Sequence, residues 1–365
     1  MDHAREGTVL ENYMTTPAAE EQLKFITNIQ RILEEGSFVA TYKFALIMSL
    51  ADFAVEKGDD SGEPLQLTTR DIAESFAEYY WRQAVPYAHG NLQAPVRVLK
   101  QGTGPQPIVL SRIMELHNLF NGSLSAARNN TLVWGSLLNK VAATITQMPL
   151  WKLQVVGRTI MPFLYEQHGS GNIINLYPGV VYNFRKFYDL IRNLVHGAWI
   201  RHIRMLNVDV LGESDLAEFL FGAERTILPG LRAILKSIQS GDCFYCNGRL
   251  REGGDIDHFI PWSRYPLDLG HNFVLAHSVC NRSKRDFLAA PCHLENWQKR
   301  NQFHGQALAQ EFDACGILHN QDATEKITYW AYSQAETAGS NLWVSKDDVM
   351  PIDDSWRLPF MNLTH

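Results

Sequence analysis

The stretch from Cys243 to Asp286, CFYCNGRLREGGDIDHFIPWSRYPLDLGHNFVLAHSVCNRSKRD, constrains this chain more than any other part of it. A Cys243-x2-Cys246 pair is followed after thirty residues by His277-x2-Cys280. Two short-spaced pairs let thiolates and an imidazole converge into a closed tetrahedron around zinc, with no position left for water. The bland alternative is a set of unliganded buried cysteines with His277 an ordinary surface histidine. Paired spacings that flank a polar centre favour zinc.

Between the pairs, Asp255 to Ile260 alternates polar and apolar residues and predicts a strand. Asp257 and His258 are neighbours on it and point to opposite faces, but at a twisted end both can border one site. Asn272 opens a second candidate strand, to His277, and Cys280 to Lys284 begins a helix. The expected unit is strand, loop, strand, helix, pinned by zinc at its base.

This segment closely resembles the HNH nucleases, which share the ββα-metal fold. The resemblance covers under an eighth of the chain and lies in the Asp257-His258 dipeptide, Asn272 and the Cys280-Asn281-x2-Lys284 ending. It implies that His258 is the general base, that Asp257 and Asn281 hold a divalent cation, and that Asn272 braces the active-site loop. Lys284, with Arg282 and Arg285 beside it, stands where basic residues touch a phosphate. Members with this zinc site usually carry cysteine where this chain has His277, and histidine is a competent zinc ligand. The residues before the motif resemble an uncharacterised bacterial type with a long helical N-terminal region.

The chemistry is consistent with that resemblance. A phosphodiester resists attack until a cation neutralises the charge developing on phosphate and leaving oxygen. Asp257 and Asn281 offer hard oxygens suited to Mg²⁺ or Mn²⁺. A neutral histidine with a pKa of about 6.5 can accept a proton from water. The expected function is a phosphodiester-hydrolysing endonuclease, with DNA favoured over RNA and a role in genome defence or restriction. A non-catalytic zinc module that binds nucleic acid or a protein partner, and an RNA-directed nuclease, are the alternatives.

Charge divides unevenly along the chain. Residues 1–70 hold 12 acids and 6 bases, and residues 306–365 hold 9 acids and 3 bases. The middle, 71–305, keeps 18 acids against 24 bases, a local balance of +6 inside a chain of net −6. Local charge sets the field a phosphate backbone meets, so the middle suits a nucleic-acid substrate and the acidic ends are expected to shield it. Five cysteines, three of them in the motif, argue against a disulfide framework and for a reducing cytoplasm. Neither a secretory signal nor a membrane span is expected.

The expected fold is α+β and predominantly helical, with two or three domains: a helical region 1–240 for substrate recognition, partner binding or regulation, the nuclease unit 241–305, and a helical appendage 306–365 with an acidic tail. Helices are expected over Phe38–Glu56, from an N-cap at Thr68 or Thr69, over Tyr182–Arg204, Arg225–Gln239 and Leu288–Gln302. Asn172 to Val180 reads as a short strand, and Gly102 to Pro105 as a plain turn rather than a phosphate loop. Arg185, Arg192 and His196 share one helical face, read either as a solvated stripe or as a phosphate-tracking surface. No internal repeat or low-complexity tract is present.

Overall fold

The computed structural model describes residues 16–87, 96–166, 171–208, 216–222, 228–251 and 253–361. Its first helices are α1 (Ala19–Glu35) and α2 (Tyr42–Glu56). A helix that is apolar all round has no face for water and belongs inside. Helix α2 does this, with every residue from Lys43 to Ala51 buried. Its Ser49 hydroxyl donates to the Ala45 carbonyl at 2.8 Å and meets the Ser75 hydroxyl at 2.8 Å, so this buried hydroxyl is satisfied.

Around α2 the helical region closes. Strand β1 (Gln66–Thr68) leads into α3 (Thr69–Gln83), whose N-terminus is a reciprocal capping box between Thr68 and Asp71. Helices α4 (Ile108–Leu119), α5 (Leu124–Asn129), α6 (Thr131–Gln147) and α7 (Pro149–Lys152) follow, with α6 packed along α3. A small hairpin, β2 (Val155–Val156) and β3 (Thr159–Ile160), precedes β4 (Ile173–Asn175), which pairs antiparallel with β1. The helix expected over Tyr182–Arg204 is two, α8 (Val180–Lys186) and α9 (Tyr188–Leu206), meeting at Phe187. Hydrogen bonds run through the junction, from Phe187 N–H to Asn183 and from Ile191 N–H to Phe187, so this is a bend at one residue that no proline or glycine announces. Helices α10 (Leu216–Phe221) and α11 (Leu228–Ile238) complete the region, and residues 225–227 of the expected helix lie outside the described residues.

The nuclease-like segment follows. Strand β5 (Asp255–His258) pairs antiparallel with β6 (Phe273–Ala276), Asp257 opposite Val274 and His258 opposite Phe273. Helix α12 (Ser278–Lys284) then packs back onto β5, giving the expected ββα order. Helix α13 (Pro291–Cys315) starts at a proline and stops at Gly316, whose φ of 72° suits a residue without Cβ. It runs past Gln302 and through residue 305 without interruption. Its buried Arg300 donates to the Phe273 carbonyl at 2.6 Å, and Trp297 stacks on Phe259.

Helix α14 (Gln321–Thr337) is capped by Asn320 and is followed by a hairpin, β7 (Asn341–Ser345) and β8 (Asp348–Pro351), then α15 (Leu358–Met361). Trp343 of β7 donates its N–H to Leu288 at 2.8 Å, accepts from Ala290 at 2.7 Å, and packs its ring on Tyr245. The fold is therefore α+β and predominantly helical. No helix among the described residues is long and apolar enough to cross a membrane.

Candidate metal centre and active site

Cys243 and Cys246 sit on a tight turn. Cys243 N–H donates to the Gly248 carbonyl at 2.8 Å, and Asn247 takes φ 55°. His277 follows β6, and Cys280 lies in the first turn of α12. The ligand atoms of Cys243, Cys246, His277 and Cys280 all lie within 4.8 Å of one another. His277 Nδ1 is 3.2 Å from Cys246 Sγ, while Nε2 is 3.2 Å from the Arg249 carbonyl. Donation from Nε2–H to that carbonyl leaves the Nδ1 lone pair facing the sulfurs, the tautomer a metal ligand needs.

Space is as restricted as the chemistry. A Cβ on Gly248 would stand 3.2 Å from His277 Cε1 and 3.4 Å from Cys246 Sγ. Burial, and after it the neighbouring Cys243 and Cys246 sulfurs, pushes the Cys280 thiol up to about 12. A cation among the sulfurs relieves that penalty, because a coordinated thiol is deprotonated outright. Three sulfurs and one imidazole at this spacing fit Zn²⁺.

On β5 the Asp257 side chain turns inward and is buried, while His258 keeps 21 % of its side-chain surface. Asp257 Oδ2 accepts from the Tyr245 hydroxyl at 2.6 Å and lies 3.1 Å from Lys284 Nζ. Both contacts fall on Oδ2, so the other oxygen is the one a cation would take. Asn281, half-buried in α12, is three residues before Lys284 and shares its helical face. Asn272 accepts from Ile260 N–H at 2.8 Å, donates to the Ile260 carbonyl at 3.0 Å, and gives its own carbonyl to Phe259 N–H at 2.8 Å. These three bonds hold the loop that leaves β5.

Lys284 is not where a phosphate can reach it. It is fully buried and donates to the His258 carbonyl at 2.8 Å as well as facing Asp257. Burial draws its pKa below the ordinary ammonium value, with Asp257 opposing. A buried ammonium between a carboxylate and a carbonyl is a structural tie. Arg282 and Arg285 are exposed.

Neither reading of the Arg185, Arg192 and His196 face holds. Arg185 is 3 % exposed and bridges Asp60 and the carbonyls of Ala54, Val55 and Gly58. It closes the C-terminal end of α2, where orphan carbonyls attract a cation. Arg192 donates to the Ser263 and Arg264 carbonyls at 2.8 and 3.2 Å, tying α9 to the nuclease-like segment. His196 stacks on Phe221, and burial pushes its imidazole down to about 3, so it carries no charge for a phosphate.

Two residues with no marker in the sequence complete the histidine's surroundings. Asp268, buried, places Oδ1 2.8 Å from His258 Nε2. Arg82, from α3, has Nη2 3.6 Å from Asp268 Oδ2 and its guanidinium 5.7 Å from the Trp262 ring centre. Periodicity places Asp268 in a loop and Arg82 on an ordinary helix, so only the fold brings them together.

A cavity of about 370 Å³ lies between α2, α3, α9 and the 265–269 loop, with Asp52, Glu56, Glu78, Arg82, Tyr188 and Tyr265 in its wall. Tyr265 donates to Glu56 at 2.8 Å and Tyr188 to Asp52 at 2.7 Å. Burial raises the carboxyls, Glu56 to about 8 and Asp52 to about 6. These acids of the N-terminal seventy residues face inward, so they contribute little to the surface shield expected of that segment.

Two family models match the chain. One, described as a domain of unknown function (DUF8808), covers residues 21–209, just over half of it. The other, described as HNH endonuclease, covers residues 243–290. No curated protein and no solved structure matches.

Proposed function

The chain belongs to the DUF8808 family and carries an HNH endonuclease domain, and from that premise we propose that it is a metal-dependent endonuclease that hydrolyses phosphodiester bonds in DNA. The observation that carries this reading is the β5 terminus. There the Tyr245 and Lys284 contacts of Asp257 both fall on Oδ2, while the adjacent His258 stays partly open to solvent. Asp257 and Asn281 would hold Mg²⁺ or Mn²⁺, which when bound neutralises charge on the scissile phosphate and leaving oxygen. His258 takes a proton from the attacking water. Arg282 and Arg285, exposed on and just beyond α12, suit the phosphate backbone.

The basic balance of residues 71–305 supports a nucleic-acid substrate, and genome defence or restriction is the cellular role we assign to such an activity. The helical region, 1–240, would present substrate or partner to the nuclease unit, 241–305, with 306–365 bracing it. The deciding assay offers supercoiled plasmid, linear duplex, single-stranded DNA and RNA to the full chain, with and without Mn²⁺. Mn²⁺-dependent cutting of plasmid is expected. Binding without cutting by metal-replete protein would replace this reading with the non-catalytic zinc module, and cutting of RNA alone would replace the substrate. For the cellular role, expression should lower phage plating, and an equal effect from His258→Ala would remove it.

A further inference from the structure

Resting on the nuclease reading above, we propose that Asp268 is a positioning residue for His258 and that Arg82 holds Asp268 in place, so that the helical region completes the nuclease site. A neutral imidazole carries one N–H and one lone pair, and the partner of one nitrogen decides which is which. His258 Nε2 lies 2.8 Å from Asp268 Oδ1. A carboxylate only accepts, so Nε2 bears the hydrogen and Nδ1 is the basic nitrogen.

Water gives a proton to Nδ1 as its oxygen bonds to phosphorus, the phosphorus bond to the leaving oxygen breaks, and that oxygen takes a proton from solvent. The Asp268 carboxylate faces the imidazolium as it forms, the role of a carboxylate behind a catalytic histidine.

A buried carboxylate is held by the partners around it, and a guanidinium is a strong one. Arg82 is one such partner, with Nη2 3.6 Å from Oδ2. The guanidinium is itself fixed. Nη1 donates to the Gly222 carbonyl beyond α10, and the group lies over Trp262, whose ring centre is 5.8 Å from that of His258. The Phe273 ring centre lies 4.5 Å from that of His258. The ring is therefore held by one charged chain of contacts that begins in α3, inside the segment that matches DUF8808.

The test uses full-length protein and two readouts, plasmid cleavage with Mn²⁺ and the ¹⁵N–¹H signals of the His258 ring. Asp268→Asn should lower kcat by about 10²–10⁴-fold with KM within about twofold, because an amide hydrogen can force the wrong tautomer. Arg82→Ala should lower kcat less, about tenfold, and Arg82→Lys should restore part of the loss. The wild-type ring should read as a single Nε2–H tautomer and lose that signature in Asp268→Asn. A kcat for Asp268→Asn close to wild type, or ring signals that do not change, overturns the proposal. If wild-type protein cuts nothing, the nuclease reading fails, while the ring signals still decide whether Asp268 sets the tautomer. Should Asp268→Asn not fold, the wild-type ring signals and the Arg82 pair carry the decision.

Discussion

Lys284 Nζ stands 3.1 Å from Asp257 Oδ2 and 2.8 Å from the His258 carbonyl oxygen, so one buried ammonium ties helix α12 to both residues of the Asp-His dipeptide. Removing one partner of a buried ion pair leaves an uncompensated charge. Lys284→Met should therefore cost about 3–5 kcal/mol, read by urea unfolding, and adding Asp257→Asn should recover part of it. An additive double variant would show the two groups to be uncoupled.

Loss of His258 tests the base directly. His258→Ala should cut plasmid cleavage by about 10²–10⁴-fold while zinc content stays at the wild-type level. Equal cleavage by the variant would assign the proton to another group.

The metal centre predicts a graded series. Purified protein should carry about one zinc per chain, measured by atomic emission, and chelation should lower its Tm. His277→Cys should retain the metal, whereas His277→Ala should bind it less tightly. Zinc retained at full affinity by His277→Ala would remove that side chain from the ligand set.

Glu56 predicts a pH effect of definite sign. Burial, with Asp52 and Glu78 adding to it, raises its carboxyl from 4.5 to about 8 against the smaller opposing pulls of Tyr265 and Lys57. The folded state then binds a proton that the unfolded state releases. Its contribution to stability is complete below about pH 4.5 and is lost as pH rises through about 8. At about 1.4 kcal/mol per unit the loss amounts to a few kcal/mol. Glu56→Gln should flatten the decline in urea midpoint between pH 5 and 9, approximately, relative to wild type. Parallel curves would mean that Glu56 is ionised in the folded protein.

What the sequence made legible follows the range of the interactions concerned. The zinc pairs, the two short strands and α12 are set by residues close together in the chain, and their order was readable from Cys243 to Lys284. The same holds for Thr68, whose capping box is a three-residue affair. Lys284 departs from its expectation because a lysine near a helix end reads as a surface charge until the strand beneath it is placed. Arg185 departs from its expectation for the same reason, since its partners Asp60 and Ala54 belong to a distant stretch. Asp268 and Arg82 were invisible. A carboxylate in a loop and an arginine on α3 acquire meaning only when α3 is laid beside the nuclease-like segment. Helical periodicity reports which face is apolar, not which helix will cover it.

Trp343 roofs Tyr245, the residue whose hydroxyl holds Asp257, and it also clips the backbone at Leu288 and Ala290. The Cys/His turns and the Asp-His strand thus leave the ribosome ahead of the ring that covers them. Order of synthesis separates parts from cover: until Trp343 is made, Tyr245 lacks that ring and the backbone at Leu288 and Ala290 lacks its clip.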